Sequence, residues 1–543
     1  MNTSPTAPAT GVDAILQGRA SLGIELGSTR IKACLVDEAG AQLAAGTHTW
    51  ENELVDDNWT YSLDAVWQGL RACIADLHAT VRDVANTEVT SVAGLGVSAM
   101  MHGYLAFDSD GEQLVPFRTW RNTYTTDAAA QLTSAFGQNI PLRWSVSHLL
   151  HAVLGGEEHV ERIDQLTTLA GYVHWKLSGR RVLGVGDASG VFPIDDATHD
   201  YDRAKLEAFG ALEAVTDVPW SLASILPDVL GAGQDAGELT AEGAALLDPT
   251  GTLQPGAVMA PPEGDAGTGM VATNSVRPRT GNVSAGTSAF AMVVLEEKLG
   301  GVREEIDLVT TPSGEPVAMI HTNNCTGDLD AWLQMFTEFA GLLGADIDQT
   351  ELYRLLYSHA LTGAADGGGL LAYNYLSGEH QTGVESGRPL FVRSQNANFT
   401  LANLMRTHLY SAFGALATGM QVLLRDEKVA LDELFGHGGI FRTAGVAQQV
   451  LADALETPVS VSNAAGEGGA WGMAILAAFA ARQASASSVS GLSLADYLSD
   501  VVFTDTELVT ATPDPEGARG YADWLEHYRI GLPVERLAGG TLL

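Results

Sequence analysis

Two bends in this sequence carry residues suited to phosphate chemistry. "GIELGSTRIKACLVD" (23–37) runs through an apolar stretch with one carboxylate, Glu25. It turns at Gly27-Ser28-Thr29 and alternates onward through Ile31, Ala33 and Leu35, with Arg30 and Lys32 beside the turn. "GNVSAGTSAFAMVVLEE" (281–297) repeats the grammar, with Gly286-Thr287-Ser288 at its bend. Glycine lets backbone N–H groups face an anion, and Ser/Thr hydroxyls add donors. Either bend alone suits an ordinary hairpin equally well. As a pair on two domains they could clamp a polyphosphate from both sides. Glu25, flanked by Ile24 and Leu26 in an apolar strand, could hold Mg²⁺ directly or through its water.

A third stretch, "GDAGTG" (264–269), sets Asp265 among small residues after a strand. Phosphorylating an alcohol needs a base within hydrogen-bond reach of the hydroxyl, and an Asp on a glycine turn can serve. A helix cap fits the same spacing, so both readings stay open here. "GHGGIF" (436–441) before a helix offers bare backbone on which a flat adenine ring could lie; a plain strand-to-helix turn is the alternative. "GLGVSA" (94–99) has the outline of a dinucleotide fingerprint. It runs on into "MMHGYLAF" as strand rather than opening a helix, which argues against that use. His148, His151 and His159 lack the partners of a metal set and read as helix-surface histidines. No Walker phosphate loop occurs.

The elements that must hold these residues follow from hydrophobic spacing. Apolar positions 66, 70, 74 and 77 predict a helix near 62–77. Strands are expected on both sides of Met101-His102-Gly103, a mainly helical region over 126–180, and a helix around 521–528. A chain of 543 residues exceeds one core, so two large domains are expected. The boundaries predicted are a flexible tail at 1–20, a first domain at 21–275, a second at 279–482 and an extension at 483–543. Net charge is −37, which disfavours nucleic acid and anionic membrane as partners. Three scattered cysteines, no secretory start and no long apolar run predict a cytoplasmic protein.

In this order the segments resemble the FGGY carbohydrate kinases, over about residues 21–482. "GIELGSTRIKACLVD" and "GNVSAGTSAF" resemble the two phosphate motifs, and "GDAGTGMVA" the catalytic-base turn. "GVSAMMHGYLAFDSDGEQLVPFRTWRNTYT" resembles the sugar-side segment of xylulokinase-like members. "YNYLSGEHQTGVESGRPLF" resembles the family signature, and "GHGGIFRTAGVAQQVLADALETPV" the adenosine motif. The resemblance implies an α/β fold of two ribonuclease-H-like (actin/hexokinase-type) domains, each with a five-stranded sheet, facing a central cleft. It implies ATP and Mg²⁺, and a small sugar acceptor, a ketopentose such as xylulose or ribulose, with a homodimer left open. Asp265 is then the base, and Met101, His102, Gly103 and Trp120 line the sugar pocket. Gly27, Ser28, Thr29, Lys32, Gly286, Thr287 and Ser288 approach the phosphates, while Gly438, Gly439 and Arg442 back the adenosine.

Three positions depart from the family pattern: Glu25 for the usual Asp, Met100 for a frequent Gln, and His380-Gln381-Thr382 for a frequent Arg-Thr-Pro. A kinase of another polyol or sugar acid is the nearest rival. An actin- or chaperone-like ATPase is the rival of another class. It needs no sugar segment and would carry a further peptide-binding module. A sugar sensor without catalysis is disfavoured by Asp265.

Overall fold

The structure, a computed structural model, describes residues 9–345, 347–462, 468–485, 491–504 and 506–542. It divides into two compact units. The first comprises residues 9–276, 308–316 and 468–504, and the second the remaining described residues.

In the first unit the chain opens with α1 (Ala9–Leu16), where a loose tail was expected. Ala14, Ile15 and Ala20 are buried in the main core cluster, so apolar burial holds this segment in place. Residues 1–8 lie outside the described part. Strands β1 (Ser21–Leu26), β2 (Arg30–Val36) and β3 (Gln42–Thr49) form an antiparallel meander. Helix α2 (Leu63–Ala85) follows, started by the Ser62 side chain accepting from Ala65 N and ended by Asn86 in the left-handed region. Val66, Leu70, Ile74, Leu77 and Val81 form its buried face. A Cβ on Gly46 of β3 would overlap backbone of this helix, so the glycine sets how closely helix and sheet approach.

Strand β4 (Gly94–Ala99) runs parallel to β1. The short strands β5 (Val258–Met259) and β6 (Glu263–Gly264) both pair with β4, giving the spatial order β3-β2-β1-β4-β5/β6. "GLGVSA" is thus wholly strand and wholly buried. Helix α3 (Asp265–Ala272) starts directly at the end of β6. The small-residue helix Gly469–Ser485, expected in the second domain, covers this first sheet instead. Cβ atoms on Gly23 and Gly94 would overlap its backbone, and one on Gly96 would overlap Met473. Strand glycines and helix alanines therefore answer each other across one interface.

The second unit repeats the plan. Strands β7 (Thr280–Ala285) and β8 (Ala289–Val294) form a hairpin, and β9 (Pro316–Thr322) adds antiparallel to β8. On the other side β10 (Glu433–His437) and β11 (Val459–Ser462) add in parallel. The order β9-β8-β7-β10-β11 matches the first sheet, which makes both units ribonuclease-H-like. The five-stranded expectation is exceeded in both. Two short strands share the edge position of the first sheet, and β12 (Leu508–Ala511) extends the second antiparallel to β11. Of the region expected as an extension, residues 491–504 accordingly belong to the first unit, while 506–542 are part of the second. Helix Pro515–Thr541 buries Tyr521, Trp524, Leu525 and Tyr528 there.

Candidate active site

Asp265 is the first residue of α3, and Gly264 occupies the cap position. Its Oδ1 accepts from Met101 N at 3.2 Å. One carboxylate oxygen is thereby tied to the Met101-His102-Gly103 turn, which sits at the end of the neighbouring strand β4. The capping alternative loses ground, because Asp265 stands inside the helix and one of its oxygens is engaged elsewhere. The carboxyl is half-buried, and burial pushes its pKa up to about 6, against opposing hydrogen bonds from Met101 N and the backbone N–H groups of the helix start.

The turn itself is unusual backbone. His102 (φ 68°) and Gly103 (φ 96°) are both left-handed. A side chain on Gly103 would come within 2.6 Å of the Phe117 ring. Left-handed histidine is costly and persists only where surroundings hold it. Here His102 Nδ1 lies 3.1 Å from Gly190 O, and its ring stacks on Trp144 at 6.2 Å between centroids. Trp120 is half-buried and packs against the main core cluster of the first unit. Met100 is buried, with its N–H donated to Leu26 O at 3.0 Å.

Glu25 faces Lys32 across the first hairpin. Its carboxylate lies against the bare backbone of Gly469, at a place a Cβ would fill; that same Cβ would stand 3.0 Å from Thr268 Oγ1 of α3. Glu25 is therefore brought to the helix that carries Asp265. At the bend, Trp50 Nε1 donates to Gly27 O at 2.7 Å, Tyr61 Oη to Ser28 O at 2.6 Å and Trp50 N to Thr29 O at 3.2 Å. Trp50 and Tyr61 stack at 4.2 Å. Holding three carbonyls from the protein side leaves half-exposed Ser28 and exposed Thr29 on the outer edge.

The second hairpin uses the same device. Gly286 N donates to Ser288 O at 2.9 Å, Cys325 N to Thr287 O at 2.9 Å and Thr326 N to Gly286 O at 3.0 Å. A Cβ on Gly286 would meet nothing within 4 Å, and neither Gly27 nor Gly286 has a left-handed φ. The fold alone does not demand glycine at 286, whereas a Cβ on Gly27 would stand 3.1 Å from Arg30 O. Gly438 differs: its φ is 111°, and a Cβ there would overlap the Ala285 carbonyl of β7. The exposed pair Gly438-Gly439 is thus pressed against the strand that leads into the Gly286-Thr287-Ser288 bend. Arg442 is exposed just beyond.

The first unit brings together Asp265, Met101, His102, Gly103 and Glu25, and the second joins its bend to the glycine shelf. Gln381 and Thr382 are buried in the second unit, where Thr382 Oγ1 lies 2.9 Å from Tyr375 Oη and Arg536 donates to the Thr382 and Gly383 carbonyls. The histidines at 148 and 159 are not on the surface. His148 is buried, its pKa lowered to about 3 by burial, and His159 Nε2 lies 2.7 Å from Tyr104 Oη. Sequence reading also missed Trp50, Tyr61, Trp144 and the buried acids Asp187 and Glu263. Only Glu263 gave a signal, as a carboxylate two residues before Asp265.

Two family models match this chain: the N-terminal domain of the FGGY family of carbohydrate kinases over residues 20–252, and the C-terminal domain over 281–481. The chain belongs to the FGGY family of carbohydrate kinases. By family it is an ATP-using phosphotransferase. A xylulose kinase of Haemophilus influenzae is 21% identical over 451 residues, which are 81% of this chain and 86% of that one. The match to a xylulose kinase of Lactococcus lactis spans 38% of that protein's length at 22% identity. Among solved structures, a ligand-bound xylulose kinase from Lactobacillus acidophilus superposes with a TM-score of 0.75 at 17% identity, covering 96% of this chain and 100% of that one. A gluconate kinase from the same organism gives 0.74 at 16%, covering 96% and 99%.

Proposed function

We propose that this kinase transfers the γ-phosphoryl group of ATP to a hydroxyl of a ketopentose, xylulose or ribulose. The observation that carries the reading is the hydrogen bond from Met101 N to Asp265, which sets a carboxylate base beside the xylulokinase-like Met-His-Gly turn. The sugar hydroxyl gives its proton to Asp265 as its oxygen bonds to the γ-phosphorus. The bond from that phosphorus to the β–γ bridging oxygen breaks, and ADP leaves. The first bend, with Lys32 on its strand, and the second bend offer donors to the phosphoryl oxygens. The shelf at Gly438-Gly439, with Arg442 beside it, takes the adenosine. Glu25 is the carboxylate that suits Mg²⁺. A magnesium ion held through one or two carboxylates and substrate phosphates needs no larger protein cluster, and none of three or more acidic, histidine or cysteine ligands occurs among the described residues. When bound, it would offset charge on the phosphates. Three buried cysteines, scattered along the chain, accord with a reducing, cytoplasmic setting.

The test is ADP release measured across ketoses, aldoses, polyols and sugar acids. The highest kcat/KM is expected with a ketopentose. A polyol or sugar acid as best acceptor would replace the substrate while keeping the mechanism. Sugar-independent ATP hydrolysis would overturn the kinase reading.

A further inference from the structure

Behind Asp265 lies a second pair of acids that the mechanism above does not use. Asp187, in the short helix Val185–Ala188, and Glu263, in β6, are both essentially without solvent access. Asp187 Oδ2 accepts from Thr168 Oγ1 at 2.6 Å, and Glu263 Oε1 accepts from Gly186 N at 3.3 Å. Asp187 Oδ1 and Glu263 Oε2 have no hydrogen-bond partner among the described residues. The Glu263 carboxyl occupies a cradle of bare backbone. Cβ atoms on Gly184 and Gly186 would overlap it, and one on Gly267 of α3 would stand 3.2 Å from Oε2. Gly267 is two residues past Asp265, so this carboxyl packs on the first turn of the helix that carries the base. Asp187 closes the other side, 3.5 Å from where a Cβ on Gly264 would lie.

Two adjacent buried carboxyls cannot both ionise cheaply. The groups facing them add to this. Asp265 lies on α3, and Tyr201, from the strand Asp200–Tyr201, is a buried phenol whose pKa is raised chiefly by burial and further by Asp187. Thr168 supplies a hydroxyl donor, and His102 contacts the Gly190 carbonyl just beyond the Asp187 helix. Burial first, then neighbouring negative charge, pushes Asp187 up to about 7 and Glu263 up to about 8.

We infer that Asp187 and Glu263 are positioning residues: a proton-holding carboxyl pair that seats the first turn of α3 and leaves Asp265 as the ionised member of the group. The inference rests on Asp265 being the base. When the pair loses its proton, charge accumulates in the glycine cradle and the seat of Asp265 is disturbed. The wild-type enzyme therefore has an alkaline limb in kcat that belongs to the pair.

Glu263→Gln keeps the size and fixes the neutral form. Its kcat near pH 6.5 is expected to fall by less than about tenfold, with little change in KM for ATP, while its alkaline limb, left to Asp187 alone, falls off less steeply. Stability gives a readout that needs no turnover. A carboxyl whose folded pKa is raised stabilises the fold fully below its unfolded pKa, and that contribution is lost as pH rises through the folded value. For Glu263 this loss spans about pH 4.5 to 8. The melting temperature of Glu263→Gln should therefore climb relative to wild type by several degrees across that window. Should Glu263→Gln fail to fold, Asp187→Asn takes both measurements. Parallel melting curves with an alkaline limb of unchanged steepness would overturn the pair. Absence of sugar-dependent turnover would strike the kinase reading alone, since the melting curves still decide the pair.

Discussion

At the scale of single residues, the proposed chemistry rests on Asp265. Asp265→Asn preserves size and can still meet Met101 N through its amide oxygen, but it cannot take a proton. General bases contribute on the order of 10²–10⁴-fold, so kcat should fall by about that factor with KM for ATP nearly unchanged. Steady-state kinetics with the best sugar, paired with a thermal melt, checks this; near-normal turnover would remove Asp265 as base. Its ionisation gives a second expectation. A general base acts as carboxylate, and burial raises the pKa of Asp265 to about 6. kcat/KM should therefore rise with pH through that value, before the alkaline limb that belongs to Asp187 and Glu263 sets in. An acid limb near the ordinary Asp value, about 4, would mean that burial does not govern the group.

Glycine positions that look alike in sequence separate at the scale of elements. Gly286 has open space around it and an ordinary φ, so Gly286→Val should fold with a melting temperature close to wild type. Loss of ATP affinity in that variant, by calorimetry, would then report a nucleotide lying at the bend; unchanged affinity would place the phosphates elsewhere. Gly438 is constrained twice, by its left-handed φ and by the Ala285 carbonyl. Gly438→Ala should destabilise the second unit by about 1–3 kcal/mol through overpacking and strain, read as an early unfolding transition on heating. A melt indistinguishable from wild type would show that β7 and the shelf can part at little cost. The strand glycines 23, 94 and 96 belong with Gly438: each marks a place where another backbone or side chain comes close.

For the whole molecule the net charge of −37 matters most. An anionic nucleotide must approach against that field, with only local backbone donors and a few cations in its favour. Screening shortens the reach of the repulsion from about 30 Å at 0.01 M salt to about 8 Å at 0.15 M. KM for ATP at saturating magnesium is therefore expected to fall, about twofold or more, as salt rises over that range. The opposite trend in initial-rate measurements would mean that attraction at the site outweighs the global field.

Much of the candidate site was legible because its motifs are local. A strand–glycine–hydroxyl bend, an Asp on a small-residue turn and a Gly-Gly before a helix need only neighbours in the chain to be recognised, and their order pointed to the family. Alternation and helical spacing likewise placed the two hairpins, the strand before Met101-His102-Gly103 and helix α2, since those patterns record which face is buried. Long-range packing decided the rest. Only the folded chain sets Met101 N on Asp265, brings Gly469 to Glu25, or puts Trp50 and Tyr61 behind the first bend. The N-terminal segment turned out to be a packed helix, and 506–542 part of the second unit, because what tethers them lies far away in sequence. His148 and His159 share their composition with surface residues; their burial comes from helices and strands folding over them. Glu263 was in view beside Asp265 throughout. That it is a buried carboxyl in a cradle of distant glycines is a property of the tertiary structure, where solvent exclusion rather than spacing sets the behaviour of a charge.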